Sequence, residues 1–120
     1  MRGLTIIVAE VSAARFRTAL NLALATAALG GMVRVFLDGE AVAIARGPGR
    51  RERDDAYVDA GLPTLATLLT EALDAGVRLI LCQSGLALTG ATPADFDVRA
   101  EFGGMVSLLT ELGGDRLVIA

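Results

Sequence analysis

The stretch Leu4–Ala9, which reads LTIIVA, decides the fold class of this chain. It is a continuous apolar run rich in β-branched residues, a pattern typical of a central strand in a parallel sheet that is covered on both faces. Similar runs follow at Val33–Leu37 (VRVFL), Val77–Cys82 (VRLILC) and Arg116–Ile119 (RLVI). Helical patterns separate these runs, and this alternation predicts a three-layer α/β sandwich with a mainly parallel sheet.

Two of the helices have recognisable ends. Ser12 is a suitable N-cap for a helix that runs to about Leu29, where Gly30 and Gly31 end it. Pro63, at a first helical position, predicts a second helix to about Ala75, which Gly76 ends. The residues expected on the apolar face of this second helix are Leu65, Leu68, Leu69, Ala72 and Leu73.

The other segments are shorter or more ambiguous. Ala41–Ala45 reads as a strand or a helical turn, and Gln83–Gly90 as a loop or a short helix. Thr92–Asp95 has the spacing of a capping box and predicts a helical turn. Glu101–Leu112 predicts a helix that ends at Gly113-Gly114. Its expected inward residues are Phe102, Met105, Val106, Leu109 and Leu112.

The composition of the 120 residues limits what the chain can be. The length suits one domain over residues 1–120, with one real core. The net charge is −3, and all eleven bases are Arg, a balance that argues against nucleic acid or an anionic membrane as a partner. The 53% hydrophobic content and the mean hydropathy of +0.57 predict apolar surface hidden in an oligomer. The first helix and Ala41–Ala45 are the candidate interfaces.

Several classes of site and location are excluded by missing residues. The chain has no His, and its one cysteine, Cys82, cannot form an intrachain disulfide or a multi-cysteine metal site, so no metal is expected. A single unpaired cysteine favours a reducing, cytoplasmic setting. The apolar run at the N-terminus lacks a signal-peptide cleavage site. The most apolar stretch, Leu22–Val33, is too short to span a bilayer.

Cys82 is the main candidate for chemistry because it ends a predicted strand, and sites in open parallel sheets form at the carboxyl ends of strands. Residue 85 is Gly, which excludes a redox CxxC motif, and residue 88 is Leu, which excludes a phosphatase-type loop. A cysteine hydrolase would need His. The remaining chemistries are the transfer of a sulfur atom and the sensing of oxidant. The alternative is a buried cysteine that acts as a small core residue.

The first strand–helix turn, Glu10-Val11-Ser12, contains no glycine and therefore makes no dinucleotide or phosphate cradle; no cofactor is expected. Glu10 itself lies at a strand end, and Gln83, Ser84 and Gly85 follow Cys82 directly. These four residues are further candidates to line the site.

A charged loop, Gly47–Asp55, starts at the same predicted sheet edge as Cys82. Arg50, Arg51 and Arg53 could bring positive charge to a thiolate or persulfide and lower its pKa. The alternative is a solvated loop in which the acids cancel the arginines. Those acids are Glu52, Asp54 and Asp55.

The order of these features resembles the DsrE/DsrF-like family, which includes sulfur-relay subunits. The resemblance spans nearly the whole chain and rests on the following residues: an N-terminal apolar strand, an Ala-rich helix, Phe36-Leu37-Asp38-Gly39-Glu40-Ala41-Val42, a strand that ends in Cys82, Gly90, and Phe102-Gly103-Gly104 before a last helix and strand.

This resemblance implies a five-stranded parallel α/β/α sandwich that assembles as a homotrimer or hexamer. It also implies that Cys82 accepts a persulfide from a sulfur donor protein and passes it to a DsrC/TusE-type acceptor. A sulfur carrier of this kind is the leading hypothesis. The competing hypotheses are a non-enzymatic oligomeric binding module, in which Cys82 is incidental, and a thiol redox sensor.

Overall fold

The computed structural model describes residues 1–120 and contains one sheet of five parallel strands. In chain order the strands are β1 (Leu4–Val8), β2 (Val33–Leu37), β3 (Arg78–Cys82), β4 (Glu101–Gly103) and β5 (Arg116–Ile119). Their order across the sheet is β4-β3-β2-β1-β5. The predicted α/β sandwich with a parallel sheet is therefore confirmed.

Five α-helices accompany the sheet: α1 (Ala13–Ala28), α2 (Asp54–Asp59), α3 (Leu65–Asp74), α4 (Gln83–Thr89) and α5 (Met105–Thr110). The strands β1, β2, β3 and β4 advance in one direction across the sheet, whereas β5 lies beyond β1 on the opposite side. Right-handed crossovers then place α1 and α3 on one face and α5 on the other. This arrangement gives the three layers.

Two helix starts follow from side-chain caps. Ser12 precedes α1, and its side chain accepts a hydrogen bond from the backbone N–H of Arg15, as the sequence predicted. The start of α3 was predicted wrongly. Thr64, not Pro63, is the residue before the helix, and its hydroxyl accepts from the N–H of Thr67, so the first helical residue is Leu65. A threonine hydroxyl satisfies a free N–H, which proline cannot do.

The predicted helix over Glu101–Leu112 is wrong in its first part. Residues Glu101–Gly103 form the edge strand β4, and only Met105–Thr110 are helical. Arg78 on β3 makes two hydrogen bonds to the Glu101 carboxylate, at 2.6 and 2.9 Å, which favours the extended pairing. The expected inward face is wrong at Val106 and Leu109, which are exposed, whereas Phe102 and Met105 pack against the core as predicted and Leu108 is buried.

The ambiguous segments become helical. Gly39–Ala45 and Pro93–Asp95 are 3₁₀ helices, and the second has the predicted capping box between Thr92 and Asp95. In Ala41–Ala45, four of the five residues are buried in the chain itself, so this segment does not offer the interface surface that was expected of it.

The charged loop contains a helix that the sequence analysis missed. Asp54 begins α2 and is only 1% exposed, so the interpretation of Asp54 as a solvated charge is wrong. Its carboxylate accepts hydrogen bonds from the Arg17 guanidinium at 2.9 Å, from the Arg51 N–H at 2.7 Å and from the Leu65 N–H at 3.0 Å. Arg17 also stacks on the ring of Tyr57. Asp54 thus joins α1, the loop and α3.

Candidate functional site

Cys82 is the last residue of β3 and directly precedes α4, as the sequence predicted. It is a free thiol, and the residue is 8% exposed. Its position places it at the carboxyl edge of the sheet, where parallel α/β proteins form their sites. The residue is thus buried with the core, and only this small fraction of it is open to solvent.

The side chain of Cys82 lies on the α5 side of the sheet. Side chains alternate along a strand, so Cys82 shares a face with Arg78. Arg78 is in register with Arg34 of β2, and the Arg34 guanidinium donates to the carbonyl of Leu108 in α5. Cys82 therefore faces the layer that the short helix α5 covers only in part.

The neighbour of Cys82 on β4 has no side chain. Cys82 is in register with Gly103, and a Cβ atom built on Gly103 would meet only the Ile80 Cγ2 atom, at 3.6 Å, within 4 Å. A small cleft of about 90 Å³, lined by Ile80, Gly103 and Ser107 among others, opens beside this position. The two glycines before α5 thus leave space at this edge of the sheet, although Cys82 itself does not line the cleft.

This space gives a first prediction. Gly103→Val should lower the rate of Cys82 alkylation by iodoacetamide several-fold, because a branched side chain on the neighbouring strand would cover the thiol. Valine suits a strand, so the fold should persist. Gly103→Ala is the matched control, since its methyl group makes an ordinary van der Waals contact with Ile80 and should change the rate little. An unchanged rate in the valine variant would show that solvent reaches the thiol from another side.

Gly85 fixes how closely α4 approaches the rest of the fold. A Cβ atom on Gly85 would collide with the backbone carbonyl of Gly39 and would lie 2.9 Å from Val42 Cγ1. These two residues belong to the 3₁₀ helix that follows β2. Gly85 therefore lets α4, which starts directly after Cys82, pack against this 3₁₀ helix.

Of the other predicted site residues, Gln83 and Ser84 lie beside the thiol, whereas Glu10 lies two strands away. Gln83 and Ser84 are the exposed first residues of α4 and lie beside Cys82 in the chain. Glu10 is exposed beyond the end of β1, and its carboxylate lies 3.5 Å from the Arg15 guanidinium. Because β2 lies between β1 and β3, two strand spacings, or about 10 Å, separate Glu10 from Cys82 across the sheet.

Two arginines of the charged loop, Arg50 and Arg51, make their contacts within that loop and with the 3₁₀ helix before it. Arg50 pairs with Asp55 at 2.9 Å. The Arg51 guanidinium donates to the carbonyls of Ile44 at 3.0 Å and Gly49 at 3.3 Å. Arg53 is exposed and has a positive φ of 70° before α2. The guanidinium groups of Arg50 and Arg51 are therefore fixed by contacts in the loop and next to it.

A larger cavity, which the sequence analysis missed, lies beside this loop. Its volume is about 360 Å³. The apolar walls include Phe16, Ile44, Leu65, Leu69 and Phe96. The polar lining positions include Arg46, Arg51, Asp95 and Asp97. Cys82 is not among the lining residues. In the sequence, only the Gly47-Pro48-Gly49 turn indicates an unusual backbone at this place. The residues that complete the cavity come from distant segments of the chain.

Ion pairs occupy the opposite, amino-terminal part of the α5 side. Arg34 is buried, and both its Nε and Nη2 atoms donate to the Thr5 hydroxyl. Its Nε lies 3.8 Å from the Asp115 carboxylate. The hydrogen bond from Arg78 is the main cause that lowers the pKa of the Glu101 carboxyl below its ordinary value. Arg34 and Arg78 therefore each have a carboxylate partner on this face of the sheet.

The structure contains no group of three or more residues that could hold a metal ion. None of its helices combines the length and the apolar character that a membrane span requires. Cys82 is the only cysteine of the chain and lies at the sheet edge. A thiol at this position can exchange with another sulfur atom or react with an oxidant.

The model of the DsrE/DsrF-like family matches residues 3–118, nearly the whole chain. No curated protein matches the sequence significantly. Among solved structures, the chain is similar to MTH1491 from Methanobacterium thermoautotrophicum, a protein of unknown function, with a TM-score of 0.74 and 15% identity. It is also similar to the ychN protein from E. coli, with a TM-score of 0.72 and 18% identity. Each alignment covers 100% of both chains, and at these identities the likeness concerns the fold.

Proposed function

The chain belongs to the DsrE/DsrF-like family, and from this premise we propose that it is a sulfur carrier that holds a persulfide on Cys82. The observation that carries the proposal is the position of the only cysteine, at the carboxyl end of β3 and opposite a glycine on the neighbouring strand. A sulfur carrier needs a single thiol, and Cys82 is the only one in the chain. Because the residue is buried, a donor has to reach it through its 8% exposed fraction.

The chemistry is two successive exchanges between sulfur atoms. The Cys82 thiolate attacks the terminal sulfur of a donor persulfide, the donor's S–S bond breaks, and the donor leaves as a thiolate. The persulfide on Cys82 is then attacked at its terminal sulfur by an acceptor thiolate, and Cys82 leaves as a thiolate. Each step forms one S–S bond and breaks one, so no external oxidant or reductant is needed.

The partners in this proposal are a sulfur donor protein and a DsrC/TusE-like acceptor, in the cytoplasm. The carrier itself is a homotrimer or hexamer. Exposed apolar residues around α5 and on β5 support assembly through that side, because such residues are usually covered by a partner when they cluster. They are Val106, Leu109, Leu117 and Ile119.

The test is the intact mass of the protein after incubation with a cysteine desulfurase and cysteine. We expect the wild type to gain one sulfur atom, which a reductant such as dithiothreitol removes, and Cys82→Ser to gain none. Serine has nearly the same size, so the variant should keep the fold. No gain by a wild-type thiol that still reacts with iodoacetamide would contradict the proposal. Sulfenate formation under peroxide without sulfur uptake would instead favour redox sensing.

A further inference from the structure

We propose that the cavity beside the charged loop binds a small organic anion with a flat apolar body. This cavity, with its volume of about 360 Å³, is formed by α1, α3, the loop after the first 3₁₀ helix and the residues around Phe96. Small-molecule sites in proteins have volumes of roughly 300–1,000 Å³, with mainly apolar walls and a few polar groups. The cavity has this size and composition.

The apolar part of the cavity suits a ring. Phe16 and Leu65 are fully or almost fully buried, and Phe96 is 7% exposed. Ile44 and Leu69 complete the apolar walls. Because Phe16 and Leu65 have almost no water-exposed area, the favourable burial comes from the apolar surface of the ligand itself and from the half-buried Leu69, in proportion to the area covered.

The charge of the cavity favours an anion. Its two acids already have cationic partners: Asp95 lies 3.0 Å from Arg46, and Asp97 lies 3.0 Å from Arg99. Arg51, on the same wall, has no carboxylate within salt-bridge distance of its guanidinium. Arg51 is therefore the lining charge that a ligand can neutralise.

Arg51 is also held in place before any ligand arrives. Its Nε donates to the Ile44 carbonyl and its Nη1 to the Gly49 carbonyl, while its backbone N–H donates to Asp54. The Nη2 group makes no hydrogen bond within the protein and remains as a donor. A guanidinium fixed in this way loses little side-chain entropy on binding, which favours affinity.

The location agrees with the general geometry of α/β proteins. The lining segment that starts at Ile44 follows β2, so the cavity opens at the carboxyl side of the sheet, where such folds bind ligands. Because Cys82 does not line it, the cavity is a site separate from the thiol. Its occupancy does not depend on the sulfur-carrier proposal.

The experiment compares three probes of one shape by isothermal titration calorimetry: 2-naphthoate, the neutral 2-naphthalenemethanol and the cationic 2-naphthylmethylamine. We expect 2-naphthoate to bind most tightly and the amine least. Equal affinities of the three probes, or no binding of any, would overturn the proposal.

Variants of the two neighbouring arginines test the site. Arg51→Gln should weaken 2-naphthoate binding at least about tenfold, since a hydrogen bond to a charged group is lost. Arg50→Gln, whose arginine pairs with Asp55 outside the cavity, should leave the affinity within about twofold. Equal losses in both variants would show unspecific attraction to the loop and overturn the proposal.

A third variant keeps the test valid if Arg51→Gln disturbs the loop. Ala66 is exposed on α3 and lines the cavity, so Ala66→Phe should fill the space without affecting the core. We expect it to abolish 2-naphthoate binding at an unchanged melting temperature. Retained binding would place the ligand elsewhere. Cys82→Ser should bind 2-naphthoate like the wild type, so the outcome is independent of sulfur uptake.

Discussion

Asp54→Asn is expected to lower the free energy of unfolding at neutral pH by about 3–5 kcal/mol, the usual result of removing one partner from a buried ion pair. The Arg17 and Asp54 side chains are 5% and 1% exposed, and their atoms lie 2.9 Å apart. Asparagine would leave the Arg17 charge buried without a counter-charge. Its NH₂ group would also replace the acceptor of either the Arg51 N–H or the Leu65 N–H, because these two donors bond to different oxygens of the carboxylate.

Urea denaturation of the wild type and the variant measures this loss. The matched control is Asp55→Asn in the exposed Arg50–Asp55 pair, where we expect a change of at most about 1 kcal/mol. Similar small losses in both variants would mean that the buried pair contributes no more to stability than an exposed one.

The difference between the wild type and Asp54→Asn should also depend on pH. Burial raises the pKa of the Asp54 carboxyl, but hydrogen bonds from the backbone of Arg51 and Leu65 and the charges of Arg17 and Arg50 outweigh it. The folded-state pKa is therefore below the ordinary value of 3.8. The stabilisation is complete above that value and is lost as the pH falls through the folded-state pKa. Denaturation curves from pH 7 down to pH 3 should show the difference narrowing only at the acid end.

Gly85→Ala is the second change from which we expect a large effect, a loss of about 1–3 kcal/mol in the free energy of unfolding. The added methyl group would collide with the Gly39 carbonyl, which belongs to the backbone and cannot swing aside as a flexible side chain could. To remove this collision, α4 must move away from the first 3₁₀ helix. Because α4 starts directly after Cys82, the movement should also change the alkylation rate of the thiol.

The control for this variant is Gly114→Ala, where an added Cβ has open space and the backbone is not in the left-handed region. Gly114→Ala should therefore change the free energy of unfolding very little. Urea denaturation and iodoacetamide kinetics, measured on both variants, separate the two consequences. If Gly85→Ala changes neither the free energy of unfolding nor the alkylation rate of Cys82, α4 can move away from the 3₁₀ helix without loss of stability.

The parts of the fold that the sequence predicted well are those set by local pattern. Continuous apolar runs gave four strands to within about one residue, and the side chain of Ser12 gave the start of α1. The edge strand β4 was missed because its three residues include Glu101 and lack an apolar run. Its extended conformation depends on pairing with β3, and the paired residues are 21 positions apart in the chain. A local sequence pattern does not contain this pairing.

In the candidate site, too, the features set by local pattern were predicted and those that depend on distant contacts were not. The position of Cys82 at a strand end followed from one apolar run and is the strongest of the site predictions. The cavity could not be predicted, because Phe16, Leu65 and Phe96 come together only through the tertiary fold. The burial of Asp54 was equally hidden, since the sequence shows it among five other charges in Arg50–Asp55, and only the position of Arg17 on α1 distinguishes it.

The sheet order has a consequence for synthesis of the chain on the ribosome. β1 pairs with β2 on one side and with β5 on the other, in a register that joins Leu4 to Arg116. The β2 partner is translated soon after β1, whereas the β5 partner emerges only after more than a hundred residues. During that interval the outer edge of β1, a strand with four apolar residues out of five, has no partner, and such edges can pair with other chains. The nascent protein is therefore most prone to aggregation until β5 has left the exit tunnel.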